Sequence, residues 1–116
     1  MKINRFEDIL AWQKAINFAV DCRQVFKGCN DFAFLDQLFR AVLSISNNIA
    51  EGYERMGDKE FRKFLFIAKG SCGEARSMLH LAEKLDYIKQ AKSRLLQEKS
   101  IEISKILSGL IKSMNP

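Results

Sequence analysis

Apolar residues recur every three or four positions along most of this chain, which is the spacing that places them on one face of an α-helix. Four segments with this pattern are separated by short polar stretches, and none alternates as a half-buried strand would. They predict helices over residues 6–27, 32–51, 58–85 and 91–113. Because the connections are short, successive helices must run antiparallel. We therefore predict an all-α fold, an up-down-up-down antiparallel four-helix bundle, with residues 1–116 as a single domain.

The same spacing predicts which side chains face the core. Those of the first helix are Ile9, Trp12, Ile16, Ala19, Arg23 and Phe26. The third helix carries a long stripe made of Phe61, Leu65, Ala68, Cys72, Ala75, Leu79 and Ala82. A second stripe on that helix is made of Phe64, Ile67, Ser71, Met78, Leu81 and Leu85. The inner face of the fourth helix consists of Leu96, Ile103, Ile106, Leu110 and Met114.

Capping residues indicate where the predicted helices begin and end. Residues 4–7 have the spacing of a capping box, and Asp31 and Asp58 are N-cap candidates for the second and third helices. Gly28 and Gly52 are expected to end the first and second helices, because glycine readily takes the left-handed conformation found after many helices.

The segment 44–55, SISNNIAEGYER, differs from an ordinary core helix. Serine and asparagine side chains compete for backbone hydrogen bonds and are unfavourable in helix interiors, so their accumulation here indicates a requirement for polar groups. With neighbouring positions on the second and third helices they form a predicted polar set, made of Arg40, Ser44, Asn48, Glu51, Ser71 and Glu74.

Two interpretations of this polar set remain open. It can be a hydrogen-bond network that fixes how the second and third helices pack, with Glu51 paired to Arg40 or Arg55. Alternatively, Asn48, Glu51 and Glu74 line a subunit contact or a ligand pocket. Two glycines inside the third helix, Gly70 and Gly73, each cost roughly 1 kcal/mol relative to alanine. Their presence suggests that another backbone approaches closely.

Charge is distributed unevenly along the chain. The net charge is +5, and residues 88–116 contribute six basic and two acidic side chains. On the third helix, Arg62, Lys69 and Arg76 are seven residues apart and therefore face the same way. The predicted nucleic-acid-binding residues are Arg55, Lys59, Arg62, Lys63, Lys69, Arg76, Lys92 and Lys99. The alternative is an ordinary solvated helix face with Glu60 and Glu83 interspersed.

Apolar residues outside the main stripes suggest a further surface. They are Phe18, Val20 and Cys22 on the first helix and Phe34, Phe39 and Leu43 on the second. Extra apolar surface commonly marks a subunit interface, whereas the alternative is a wide core around bulky phenylalanines. Aromatic side chains suited to stacking on single-stranded bases are scarce, because the phenylalanines mostly fit the core pattern, so we expect no sequence-specific reading.

The sequence offers no recognisable catalytic or metal-binding set. Three cysteines are widely spaced, one histidine is present, and no zinc-ligand spacing or phosphate-cradling glycine loop occurs. We expect no enzymatic activity, no metal and no cofactor. The odd number of cysteines and the lack of a long apolar segment predict free thiols in a cytoplasmic protein that does not enter a membrane.

Three segments, FEDILAWQKA (6–15), SISNNIAEGYER (44–55) and IAKGSCGEARSML (67–79), resemble the small bacterial four helix bundle protein family. Its members are often encoded within intervening sequences of 23S rRNA genes and are sometimes labelled ribosomal proteins. The accessory proteins of diversity-generating retroelements resemble the same family. This chain has Ser46 where the family usually has proline, which affects the expected bend of the second helix.

The resemblance implies a four-helix bundle that assembles into a ring-shaped homopentamer and has a possible role in binding nucleic acid. Together with the basic stripe, it predicts a non-enzymatic, oligomeric protein that contacts the backbone of RNA or DNA. The alternative is a protein–protein scaffold that acts through the apolar stripe of Phe34, Phe39 and Leu43.

Overall fold

The structure is a computed structural model that describes residues 3–114. Within this range the chain forms α1 (Leu10–Val25), α2 (Phe32–Glu54), α3 (Asp58–Lys84) and α4 (Gln90–Ser113), and a 3-10 turn at Phe6–Asp8 precedes α1. Helices α1 and α3 each pack against α2 and α4, while the two diagonal pairs bring no Cα atoms within 8 Å of each other in the described part of the chain. The bundle measures 43 × 21 × 20 Å. The predicted all-α four-helix fold is confirmed.

The start of the first helix differs from the prediction. Ile9 is extended, with φ −76° and ψ 120°, and it separates the 3-10 turn from α1. Neither element has a side-chain cap, so the predicted capping box at 4–7 is wrong. Ile9 is buried, and Phe6 packs edge-on against Trp12 with ring centroids 5.3 Å apart. Burial of these apolar groups outweighs a capping interaction of about 1 kcal/mol.

The N-terminus of α2 is capped as predicted. The Asp31 carboxylate accepts a hydrogen bond from the Phe34 N–H at 3.1 Å, and the Tyr87 hydroxyl donates to it at 2.6 Å. These bonds hold the pKa of Asp31 below its usual value, and the bond to the carboxylate raises the pKa of Tyr87. Asp58 is not a cap, because Gly57 occupies that position and Asp58 is the first residue of α3.

Glycine does not end α1 or α2, contrary to the prediction. No glycine in residues 3–114 has a positive φ. The chain turns instead at Met56 (φ 59°) after α2 and at Asp86 (φ 58°) after α3. Gly52 lies inside α2, where a Cβ atom would be 2.5 Å from the Cβ of Phe64. The absence of a side chain at Gly52 therefore allows α2 and α3 to approach closely.

The long stripe of α3 is confirmed, since every member is buried. The face predicted for the first helix is partly wrong. Ile9 and Phe26 are buried as predicted, and Trp12 and Ala19 pack against the core, but Ile16 is 37% exposed and Arg23 is exposed. Ala11, Ala15, Phe18 and Cys22, which lie outside the predicted face, are buried. Because Ile9 is extended and stands outside α1, its burial does not determine how α1 is rotated about its axis.

The other two predicted faces are partly wrong. In α4, Leu96 and Ile103 are buried as predicted, but Leu107 and Ile111 are buried in place of Ile106 and Leu110, which are partly exposed. The second stripe of α3 is partly exposed, with Ile67, Leu81 and Leu85 each more than 40% accessible. In a four-helix bundle the two neighbouring helices cover only about half of the surface of each helix, so a second apolar stripe lies at the edge of the core.

Candidate functional site

Three members of the predicted polar set meet at the α2–α3 contact. The Ser71 hydroxyl lies 2.8 Å from the Ser44 hydroxyl, to which it donates a hydrogen bond. The Asn48 amide donates to the Ser44 carbonyl at 2.7 Å and to its hydroxyl at 2.8 Å. The Ser71–Ser44 bond links the two helices, as the network interpretation expects, while the Asn48 bonds lie within α2.

The charged members of the set lie elsewhere. Arg40 pairs with Asp36 at 3.3 Å, one turn away, and both side chains are well exposed. Glu51 pairs with Arg55 at 2.8 Å, which is one of the two pairings considered. Glu74 is exposed and has no cationic partner within 4 Å in the described residues. The six residues therefore do not form one network, because charged side chains at the edge of a bundle turn to solvent.

The basic stripe of α3 runs beside α4. Arg62, Lys69 and Arg76 continue at the same seven-residue spacing to Glu83. Glu83 accepts hydrogen bonds from Arg94 of α4 at 3.4 Å and from Gln97 of that helix at 2.7 Å. The stripe therefore follows the outer side of the α3–α4 contact, with its members about 10.5 Å apart along the helix.

The three cations of this stripe carry uncompensated charge. Arg62, Lys69 and Arg76 are each partly exposed, and none has an acidic side chain within 4 Å among residues 3–114. The Arg62 guanidinium lies 5.1 Å from the centre of the Phe66 ring. The structure thus leaves a line of positive charge on one side of α3.

The remaining predicted cations do not all join this line. Lys99 forms an ion pair with Asp21 of α1, so it lies on the opposite side of α4, and Lys92 is seven residues before it on the same side. Arg55 is neutralised by Glu51 and by Glu60, the latter at 3.6 Å.

Lys59 and Lys63 stand on the outer face of α3. Both are exposed, and neither has an acidic partner within 4 Å in the described residues. The predicted set of eight is therefore divided between α3, the end of α2 and the α1 side of α4.

The six apolar residues assigned to a subunit interface are divided, since three are buried and Val20 is 51% exposed. Phe18, Cys22 and Phe34 are buried, in agreement with the wide-core alternative. Phe39 is partly buried beneath the guanidinium of Arg23, 5.5 Å from its ring centre, and Leu43 is 49% exposed. These residues do not form a continuous exposed stripe, because Phe18 of α1 and Phe34 of α2 are buried inside the bundle.

Sequence reasoning missed two features of α3 and its neighbour. Phe66 is 50% exposed, although the phenylalanines were expected mostly in the core. Its position next to Leu65, which belongs to the confirmed stripe, is the signal that could have placed it outside. Ser93 and Ser100 of α4 are fully buried, and Ser100 donates to the Cys72 carbonyl at 2.8 Å. Small polar residues at these positions let α4 approach α3 closely.

Two of the three thiols are buried in the core. Burial raises the pKa of the Cys22 and Cys72 thiols to about 12, which suppresses the nucleophilic thiolate. No group of three or more histidine, cysteine, aspartate or glutamate residues comes together to hold a metal ion within residues 3–114. In the same range, none of the helices has the length and apolarity that a membrane crossing requires.

Comparison with known proteins identifies the family. A search of curated protein sequences found no match. A solved structure of a protein of unknown function from the S23 ribosomal protein family of Bacteroides thetaiotaomicron VPI-5482 is similar, with 27% sequence identity and a TM-score of 0.83 over 89% of this chain and 99% of that one. The family model described as 23S rRNA-intervening sequence protein matches residues 7–109. The chain therefore belongs to the 23S rRNA-intervening sequence protein family.

Proposed function

We propose that this protein is a non-enzymatic nucleic-acid-binding protein that contacts phosphate groups through Arg62, Lys69 and Arg76. The observation that carries the proposal is the line of three cations on α3 without acidic partners in the described chain. Lysine and arginine at a regular spacing need no base contacts to bind a phosphate backbone, so this surface fits affinity without sequence reading. The name of the family, which refers to 23S rRNA, supports RNA as the first substrate to test.

A titration across salt concentrations tests this function. Labelled RNA and DNA of equal length are titrated with the protein between 50 and 200 mM salt. Affinity falls steeply with salt if phosphates are the ligand. The variant with Arg62→Glu, Lys69→Glu and Arg76→Glu should lose binding and flatten the slope of log K against log salt by about 2 to 3.

A matched control separates the effect of reversing the α3 stripe from the effect of lowering the net charge. Lys27, Arg40 and Lys89 lie outside α3 and are exposed. Replacing these three by glutamate changes the net charge equally and should leave most of the binding intact. Equal loss in both triple variants, or absence of binding at 50 mM salt, contradicts the proposed surface.

The second candidate is a protein–protein scaffold, favoured by exposed apolar side chains such as Leu43 and Phe32, the latter 76% accessible. A scaffold tolerates the charge-reversed stripe and fails when Leu43 becomes glutamate. Both proposals include self-association. The family resemblance implies a homopentamer, and light scattering measures the number of subunits.

We also propose a cytoplasmic location, where the three free cysteines stay reduced.

A further inference from the structure

Phe66 is an exposed aromatic side chain that does not pack on the core of the described bundle. It lies on α3, half of its surface is accessible, and it is absent from the cluster of residues that pack on the core. Leaving a phenylalanine ring exposed to water is less favourable than burying it against a partner. Its only ring contact of note is with the Arg62 guanidinium, 5.1 Å from the ring centre.

The helical neighbours of Phe66 are cationic. Residues three, four and seven positions away share its part of the helix surface. Lys59, Arg62, Lys63 and Lys69 occupy four of these six positions. None of the four has an acidic side chain within 4 Å in residues 3–114. The ring is thus surrounded by free positive charge.

The other two neighbouring positions are glycines. Gly70 and Gly73 follow Phe66 by four and seven residues, and a methyl group at either position would meet no atom within 4 Å. No close backbone approach within the bundle accounts for them, contrary to the sequence-based expectation. They leave bare helix backbone beside the ring, so a flat group can lie against Phe66 without meeting a side chain.

We propose that Phe66 stacks on an unpaired base of a single-stranded nucleic acid, while Lys59, Arg62, Lys63 and Lys69 hold the flanking phosphates. This inference rests on the proposed function and specifies its substrate class. An aromatic face within a positively charged surface is the arrangement that binds single strands without sequence preference. The positive charge around the ring is complementary to a polyanion and unfavourable for a purely apolar partner. The planar Arg62 guanidinium already lies over one face of the ring, so a base stacked on the other face would continue this stack.

Paired probes test this inference. The protein and its Phe66→Leu variant are titrated with a 12-nucleotide single strand, as RNA and as DNA, and with a blunt 12-base-pair duplex at one salt concentration. Leucine keeps the apolar bulk and removes the aromatic face. Stacking predicts about 10-fold weaker binding of both single strands and less than 2-fold change for the duplex. Phe66→Tyr should retain the affinity of the parent protein.

Two controls distinguish base stacking by Phe66 from a general effect of losing an exposed phenylalanine and from a change in self-association. Phe32→Leu changes an exposed phenylalanine at the start of α2 and should alter neither probe. Light scattering of each variant reports on self-association. Equal loss on single strand and duplex, or a changed oligomeric state accompanying that loss, shows that Phe66 is a subunit contact and overturns the inference.

The failure of this inference is distinguishable from failure of the proposed function. If the charge-reversed stripe abolishes binding while Phe66→Leu binds single strands as the parent does, the protein binds phosphates and the stacking proposal is wrong. If the parent binds no probe at 50 mM salt, the proposed function itself is wrong. A Phe66→Trp variant adds a direct readout, since stacking should quench its added fluorescence with the single strand and not with the duplex.

Discussion

Glycine has opposite roles on the two sides of α3. Toward α2, Gly52 of that helix leaves no room for a methyl group against Phe64 of α3, and Ser71 donates a hydrogen bond to Ser44. On the outer side, Gly70 and Gly73 face open space. A glycine within a helix therefore indicates close packing in one place and a bare surface in the other. Only the neighbouring helix distinguishes the two.

The largest expected effect concerns the thiols, which differ in whether they lie on a buried helix side such as that of α3 or in a connection. Cys72 lies on the buried side of α3, and burial raises its pKa from 9.0 to about 12. At a given pH near neutrality this lowers the thiolate fraction about 1000-fold. We expect a maleimide or disulfide reagent at pH 8 to modify Cys29 in the folded protein and to reach Cys22 and Cys72 only after unfolding in guanidinium. Rapid modification of all three thiols without denaturant would contradict the tight packing of α3.

Gly52→Ala should be the most destabilising small change at the α2–α3 contact. The new methyl group would lie 2.5 Å from the Phe64 Cβ, a backbone-anchored atom that cannot turn away. We expect the free energy of unfolding to fall by about 1–3 kcal/mol, as overpacking generally does. Urea denaturation followed by circular dichroism measures the change. An unchanged midpoint would mean that the two helices are farther apart than described.

Ser71→Ala tests the hydrogen bond across the same contact. Ser71 is buried, and its hydroxyl donates to Ser44, which also accepts a hydrogen bond from Asn48. Because Ser44 keeps one partner, the expected loss is about 1 kcal/mol. Ser113→Ala, at an exposed site near the end of α4, is a control with little effect on stability.

Gly70→Ala should have the opposite sign from Gly52→Ala. No atom opposes a methyl group there, so the helix propensity of alanine acts alone and stabilises the protein by up to about 1 kcal/mol. The same denaturation experiment measures it. If single-strand binding falls while stability rises, the glycine serves the outer surface; a loss of stability would show that the space is occupied by another subunit.

The smallest effect concerns pH and the loops that join the helices. The hydrogen bond from Tyr87 holds the pKa of Asp31 below its ordinary 3.8, so its stabilisation is present above that pH and is lost as acid protonates the carboxylate. The same bond raises the pKa of Tyr87 above its ordinary 10.0, so stability falls again as alkaline pH removes the phenolic proton.

A Tyr87→Phe variant removes the alkaline dependence and weakens the acid one, because the Phe34 N–H still donates to the Asp31 carboxylate. We expect a lower melting temperature at neutral pH and a shallower decline of the melting temperature toward acid and toward alkali. Parallel pH profiles for parent and variant would indicate that other groups dominate the linkage.

The sequence predicted the buried side of α3 well and its outer side poorly. Seven stripe residues from Phe61 to Ala82 are all buried, because their spacing matches the period of an uninterrupted helix. The face of α1 was only partly right, since the extended Ile9 stands outside the helix and does not fix its rotation. The candidate cations were found as residue types, but their ion pairs were not, because Lys99–Asp21 joins residues 78 positions apart.

The chain by itself determined the four helices and their antiparallel order, since helical periodicity and short connections are local properties of the sequence. Tertiary structure decided which cations form ion pairs and which glycines face a neighbouring helix. It also decided that Phe66 is exposed beside four cations that have no acidic partner in residues 3–114. Those outcomes depend on what each helix meets across the bundle. Rotation and separation of packed helices follow from the sum of many side-chain contacts, and local spacing does not record that sum.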